Sequence, residues 1–202
     1  MNKWSQLKFW PKITIQTIFF ILIFPLLMNI FPLVSDGFSV EVWSPVNVMV
    51  GVFVVLLTST SYRCAYAIQL GVSFSQTRKK TLMGWMCSEF VIMLFSIALV
   101  GVVYAYSDNN IGISVFSWAF AGGMIGHSIA ACITRKNRRD IVIAVIFFVL
   151  AGMMIWGSII ALAVDMEVAK YVKMGVVAVS AVLYIISVLN MVAGNRALEV
   201  RI

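Results

Sequence analysis

The chain has 202 residues, is 62% hydrophobic and only 11% charged, and has a mean hydropathy of +1.00. Soluble domains carry about 25% charged residues, and a chain of this size has too small an interior to hide so much apolar surface, so a soluble globular domain is excluded. The formal net charge of +7 would suggest nucleic acid in a soluble protein, but here the basic residues punctuate apolar stretches, a pattern of membrane topology that leaves nucleic acid without a role.

Residues 1–12 set Trp4, Leu7 and Trp10 among Lys3 and Lys8. This mixture suits the headgroup region, so an interfacial amphipathic elbow helix is expected, with a disordered basic tail as the alternative. Six apolar stretches follow, at about 13–34, 45–70, 82–106, 113–133, 141–164 and 171–193. Each meets the roughly 20 residues that a helix needs to cross a hydrocarbon layer of about 30 Å. Barrel strands would instead be about ten residues long with polar alternation, and none is visible. The expected fold is therefore all-α, a polytopic membrane protein whose residues 13–202 form one domain of six transmembrane helices. The first stretch is too long for a cleavable signal core and lacks a small-residue cleavage pattern before Asp36, so it is expected to stay in the mature protein. Pro25 and Pro32 are positioned to bend it. Ser44 with Pro45, and Asp140, suit helix starts, whereas Gly71 and Gly194 suit helix exits.

All of the 15 basic residues except Lys170 and Lys173 fall before the first stretch, in or beside alternate connections, or after the last stretch. The positive-inside rule places those segments, and both termini, in the cytosol of a multi-pass protein of the cell membrane. Asp36, Glu41, Asp108, Asp165 and Glu167 fall on the outer side. Cys64, Cys87 and Cys132 have no metal-ligand spacing and read as reduced, packing cysteines.

Few residues could carry chemistry. Glu89 is the one acid well inside a span, and Arg63 lies at a comparable depth in the preceding helix. An ion at the bilayer centre costs about 2.5–3.5 kcal/mol on insertion scales, so structural pairing or snorkelling stands beside a proton or substrate site. Gly122, Gly126 and Ala130 have the small-xxx-small spacing that lets helix backbones approach closely. His127 is set among them and more naturally bonds a neighbouring helix than a metal, since nothing completes a ligand shell. Thr58, Ser59, Thr60, Ser114 and Ser117 are the weakly polar side chains that could line a passage. No G-x-x-x-x-G-K-[ST] phosphate loop is present, so ATP hydrolysis by that device is not expected of this chain.

The connection Gln69 to Gly84 combines aromatic, hydroxyl and cationic residues. On spacing alone it fixes topology. Its segment Phe74-Ser75-Gln76-Thr77-Arg78-Lys79, followed by Lys80-Thr81-Leu82-Met83-Gly84, resembles the Ser/Thr-Arg-Lys segment after the second span of small six-span permeases of the ABC type-2 exporter family. The span count, internal termini, amphipathic start and closing Leu198-Glu199-Val200-Arg201 match that family too. Lys80 departs from it, standing where many relatives carry an aromatic residue. The resemblance implies a permease subunit that is not itself an enzyme and forms the translocation pathway as a homo- or heterodimer. Cytosolic ATPase subunits would bind the ATP and Mg, and no cofactor is implied in this chain. Phe74, Gln76, Thr77, Arg78 and Lys79 would be the coupling contacts, with the basic connection Thr134 to Asp140 a second candidate beside lipid contact. Cargo would be a peptide, lipid or hydrophobic drug. An ion-coupled secondary transporter, a ligand-binding membrane protein and a membrane enzyme acting through Glu89 or His127 are the alternatives.

Overall fold

A computed structural model describes residues 9–28, 45–68, 78–106, 116–135, 137–163 and 167–197. They form six helices: α1 (Phe9–Met28), α2 (Pro45–Tyr62, extended by a π-helical turn Arg63–Ala67), α3 (Arg78–Tyr106), α4 (Phe116–Thr134), α5 (Arg138–Ala163) and α6 (Glu167–Ala197). Among the described residues, five helical stretches are long and apolar enough to cross a membrane, within α2 to α6, and Phe9–Phe24 of α1 forms a shorter apolar helix. The protein is thus an all-helical polytopic membrane protein.

Several boundaries differ from the hydropathy pattern, for local reasons. α3 begins at Arg78, not near residue 82, because Arg and Lys are good helix formers and nothing in 78–81 breaks the helix. α6 runs through Gly194 to Ala197. Gly194 is therefore no helix exit: a Cβ there would collide with the guanidinium of Arg135, so the glycine makes room for that side chain. At the other end of the chain α1 starts at Phe9 and absorbs residues 9–12. Trp10 is only 7% exposed, packed so closely on Gly84 of α3 that a Cβ would clash with its indole. Its indole is a knob packed inside the bundle. Residues 1–8, which complete the expected elbow, lie outside the described residues.

α4 is the axis of the bundle. Of its spanning window 72% is buried, against 17% for α5. The cause is composition: Gly122 and Gly126 bring α4 onto α2 so closely that a Cβ at Gly122 would lie 2.8 Å from the Phe53 carbonyl oxygen. A Cβ at Gly126 would lie 2.9 Å from that of Leu57 and 2.8 Å from the Thr60 Cβ. Ala130 continues the seam, fully buried, and Ser61 donates to the Gly126 carbonyl at 3.3 Å. On another face Gly123 receives the ring of Tyr184 from α6. α5 instead turns Val142, Ile146, Phe148, Met153, Trp156 and Ile160 outward, the arrangement expected of a helix facing lipid, where apolar exposure carries no penalty. Trp118 ties it to α4 by an indole N–H bond of 2.7 Å to Ser158. A central apolar cluster around Ile21, Leu56, Ile92 and Met124 fills the middle, and a second around Trp10, Cys64, Trp85 and Met191 fills one end.

This seam makes a directional prediction. Gly126→Ala should lower stability by about 1–3 kcal/mol through overpacking. Gly152→Ala, where nothing lies within 4 Å, should be neutral or stabilising by up to about 1 kcal/mol. Thermal unfolding of the two purified variants in detergent checks the contrast.

Candidate functional site

Where α2 approaches its C-terminal end, the helix widens into the π turn Arg63–Ala67, a device often found at functional positions. Thr60 and Arg63 are three residues apart on α2, so both reach the same side, toward α3. There the Arg63 Nη2 donates to Glu89 Oε2 at 2.6 Å and to the Thr60 hydroxyl at 3.0 Å. Glu89 Oε1 accepts from Thr60 at 3.2 Å and from the Tyr184 hydroxyl of α6 at 3.0 Å. Arg63 is 0% and Glu89 3% exposed, so the ion pair is removed from solvent.

His127 of α4 closes the cluster. Its Nδ1 is hydrogen-bonded to the Ser187 hydroxyl at 2.9 Å, and that hydroxyl donates to the Tyr184 carbonyl at 2.7 Å. The imidazole stacks on the Tyr184 ring, with centroids 5.7 Å apart, and meets Trp85 edge-on at 5.9 Å. Its Nε2 lies 3.7 Å from Glu89 Oε1, beyond hydrogen-bond reach. Four helices, α2, α3, α4 and α6, thereby converge on one carboxylate. Three donors from this chain engage that carboxylate, so the first consequence of the geometry is mechanical. Arg63 Nε and Nη1 and His127 Nε2 have no partner among the described residues.

The sequence candidates are distributed unevenly. Arg63, Glu89 and His127 meet in this cluster, and Gly122, Gly126 and Ala130 form the seam beside it. Thr60 belongs to the cluster, whereas Ser117 is buried in α4 and Ser114 lies outside the described residues. Phe74, Gln76 and Thr77 also lie outside them. Arg78 and Lys79 fall in the first turn of α3, where Lys79 is exposed. In the second basic connection Arg135 is withdrawn from the surface: it is 5% exposed, and its Nη2 donates to the Asn190 carbonyl of α6 at 2.9 Å. Burial lowers its pKa from the ordinary arginine value, an effect that Asp140 opposes. Arg138 and Arg139 remain exposed. Sequence reasoning missed Tyr184, Ser187 and Trp85. The signal for the first two was their spacing, three residues apart on one face of an apolar helix.

A second feature adjoins the cluster. A cavity of about 700 Å³ runs between α1 and α2, within the range of small-molecule sites. Thr58, Ser59 and Arg63 line it from α2, with Lys12, Gln16 and Thr17 opposite on α1 and an apolar continuation along Phe20, Phe24 and Leu27. Among the described residues no group of three or more His, Cys, Asp or Glu could hold a metal ion. Comparison with family models, with curated proteins and with solved structures finds no match to this chain.

Breaking a buried pair by removing one partner costs about 3–5 kcal/mol, whereas replacing both with apolar residues is often neutral. Glu89→Leu or Arg63→Met alone should therefore destabilise the detergent-solubilised protein by about that much. The double variant should regain at least half of the loss in the same unfolding assay.

Proposed function

We propose that this chain is the permease subunit of an ATP-binding-cassette exporter of the type-2 class. It crosses the cell membrane six times with both termini in the cytosol and acts as a dimer, with itself or a related chain. Its engine is a separate pair of cytosolic ATPase subunits that bind ATP and Mg. The segment 74–79, whose last two residues open α3, is the contact they push on, with Arg78 suited to a carboxylate of the partner because a guanidinium offers two parallel hydrogen bonds.

The observation that supports this reading is the position of the buried pair. Arg63 lies just before the connection that carries the Phe74 to Lys79 motif, and Glu89 lies about three turns into the helix that follows it. The two helices leaving the turn are thus clamped together inside the bundle, and the same clamp reaches α4 and α6. A load applied at the turn would be delivered to the packed core and not lost in bending of one helix. Secondary transport would place ionisable groups for ion binding, but Glu89 is already held by three donors of its own chain.

Arg78→Glu should insert and fold normally yet lose most ATP-driven transport when produced together with a cytosolic ATPase subunit identified by copurification with the wild-type chain. Vesicle uptake of a fluorescent amphipathic peptide and vanadate-sensitive ATP hydrolysis measure the two sides of the coupling. Full transport by Arg78→Glu, or transport by the purified chain alone driven by a pH gradient, would reject the permease assignment.

A further inference from the structure

The cavity between α1 and α2 shares only Arg63 with the buried cluster, and its lining is asymmetric. Thr14 of α1 is hydrogen-bonded to Ser88 of α3 at 2.7 Å, and Arg63 of α2 bonds Glu89, the next residue of α3. The N-terminal half of α1 therefore lies level with the C-terminal end of α2. Lys12 and Gln16 accordingly face the Thr58, Ser59 and Arg63 end, whereas Phe20, Phe24 and Leu27 continue beside Val54 and Val55. Polar lining gathers at one end and apolar lining at the other.

The polar end has unmet hydrogen-bonding capacity. Ser59 and Arg63 are four residues apart on one face of α2, and the Ser59 hydroxyl and the Arg63 Nε and Nη1 groups are buried without a partner among the described residues. Buried polar groups of this kind are normally satisfied. Glu89 balances the charge of Arg63 through Nη2 alone. Lys12 stands exposed at the rim, and no acid is among the residues lining the cavity. The site thus presents one uncompensated positive charge and several idle donors.

We propose that this groove binds an anionic phospholipid drawn from the bilayer. Its headgroup would lie at Lys12, Ser59 and Arg63, and one acyl chain would lie along Phe20, Phe24 and Leu27. The phosphate and ester oxygens supply the acceptors that Ser59 and Arg63 lack, and the net negative charge meets Lys12. From Lys12 to Leu27 the wall is about 22 Å long at about 1.5 Å per residue, longer than the roughly 15 Å of one hydrocarbon leaflet, so an acyl chain fits lengthwise. A peptide fits less well, because its backbone would need hydrogen-bond partners along the Phe20, Phe24, Val54 and Val55 wall, where the side chains supply none. This site stands independently of the permease assignment.

Native mass spectrometry of the delipidated full chain tests it. The protein is titrated with phosphatidylglycerol, with phosphatidylcholine of the same acyl chains, and with palmitate as the free-acid competitor. Wild-type protein should retain phosphatidylglycerol over phosphatidylcholine by about fivefold, the selectivity expected from one lysine near an anionic headgroup. Lys12→Glu, an exposed position, should bring the ratio to about one at unchanged melting temperature, and Thr58→Trp, which fills the groove, should weaken retention of both lipids. Equal retention of the two lipids by wild-type protein would overturn the proposal, as would a preference that survives Lys12→Glu. Displacement of phosphatidylglycerol by equimolar palmitate would overturn the choice of a bilayer phospholipid.

Discussion

A carboxylate carried into the interior of a helical membrane bundle must find its partners within the protein, because neither lipid nor water will solvate it there. Glu89 meets that requirement through Arg63, Thr60 and Tyr184, and each partner comes from a helix that also does something else. Arg63 and Thr60 fix where α2 can stand against α3, and Tyr184 fixes α6. Because the Tyr184 ring also packs on Gly123 and stacks on His127, α4 is drawn into the same constraint. The arrangement of four helices at this end follows from the neutralisation of one charge.

The glycine seam makes that convergence geometrically possible. Small residues at helix contacts let backbones approach closely. Gly122 and Gly126 permit this between α2 and α4, and Gly84 does so where Trp10 wedges α1 against α3. Packing and electrostatics meet at Thr60: a Cβ at Gly126 would press on the same threonine whose hydroxyl donates to the carboxylate.

Much of this was readable in the amino-acid order, because bilayer thickness imposes a length and an apolarity that few residues can disguise. The depth of Arg63 and Glu89 in adjacent spans suggested a pair, and the spacing of Gly122, Gly126 and Ala130 suggested a seam. Tyr184 and Ser187 were less visible, since a hydroxyl in an apolar helix looks the same whether it bonds its own backbone or a distant carboxylate. Arg135 carries a contact that its charge alone did not signal. It folds over Gly194 onto the carbonyls of α6, a contact that depends on a glycine 59 positions away in sequence. The packing of Trp10 was not legible, because its pocket, the bare Cα of Gly84, has no signature of its own.

The buried cluster and the groove between α1 and α2 share Arg63, which turns one nitrogen to Glu89 and leaves others unpartnered. Stability at this end of the bundle and occupancy of the groove therefore meet in a single side chain. Cys64, the next residue in sequence, is 2% exposed and sits in the π turn, which makes it a reporter of whether the cluster is closed. With Cys87 and Cys132 changed to serine, the rate of Cys64 alkylation by a membrane-permeant maleimide is the most direct measure. Slow labelling in the otherwise native protein and rapid labelling in Glu89→Gln is the predicted result. Equal protection of Cys64 with and without the carboxylate would contradict the claim that this charge holds the four helices together.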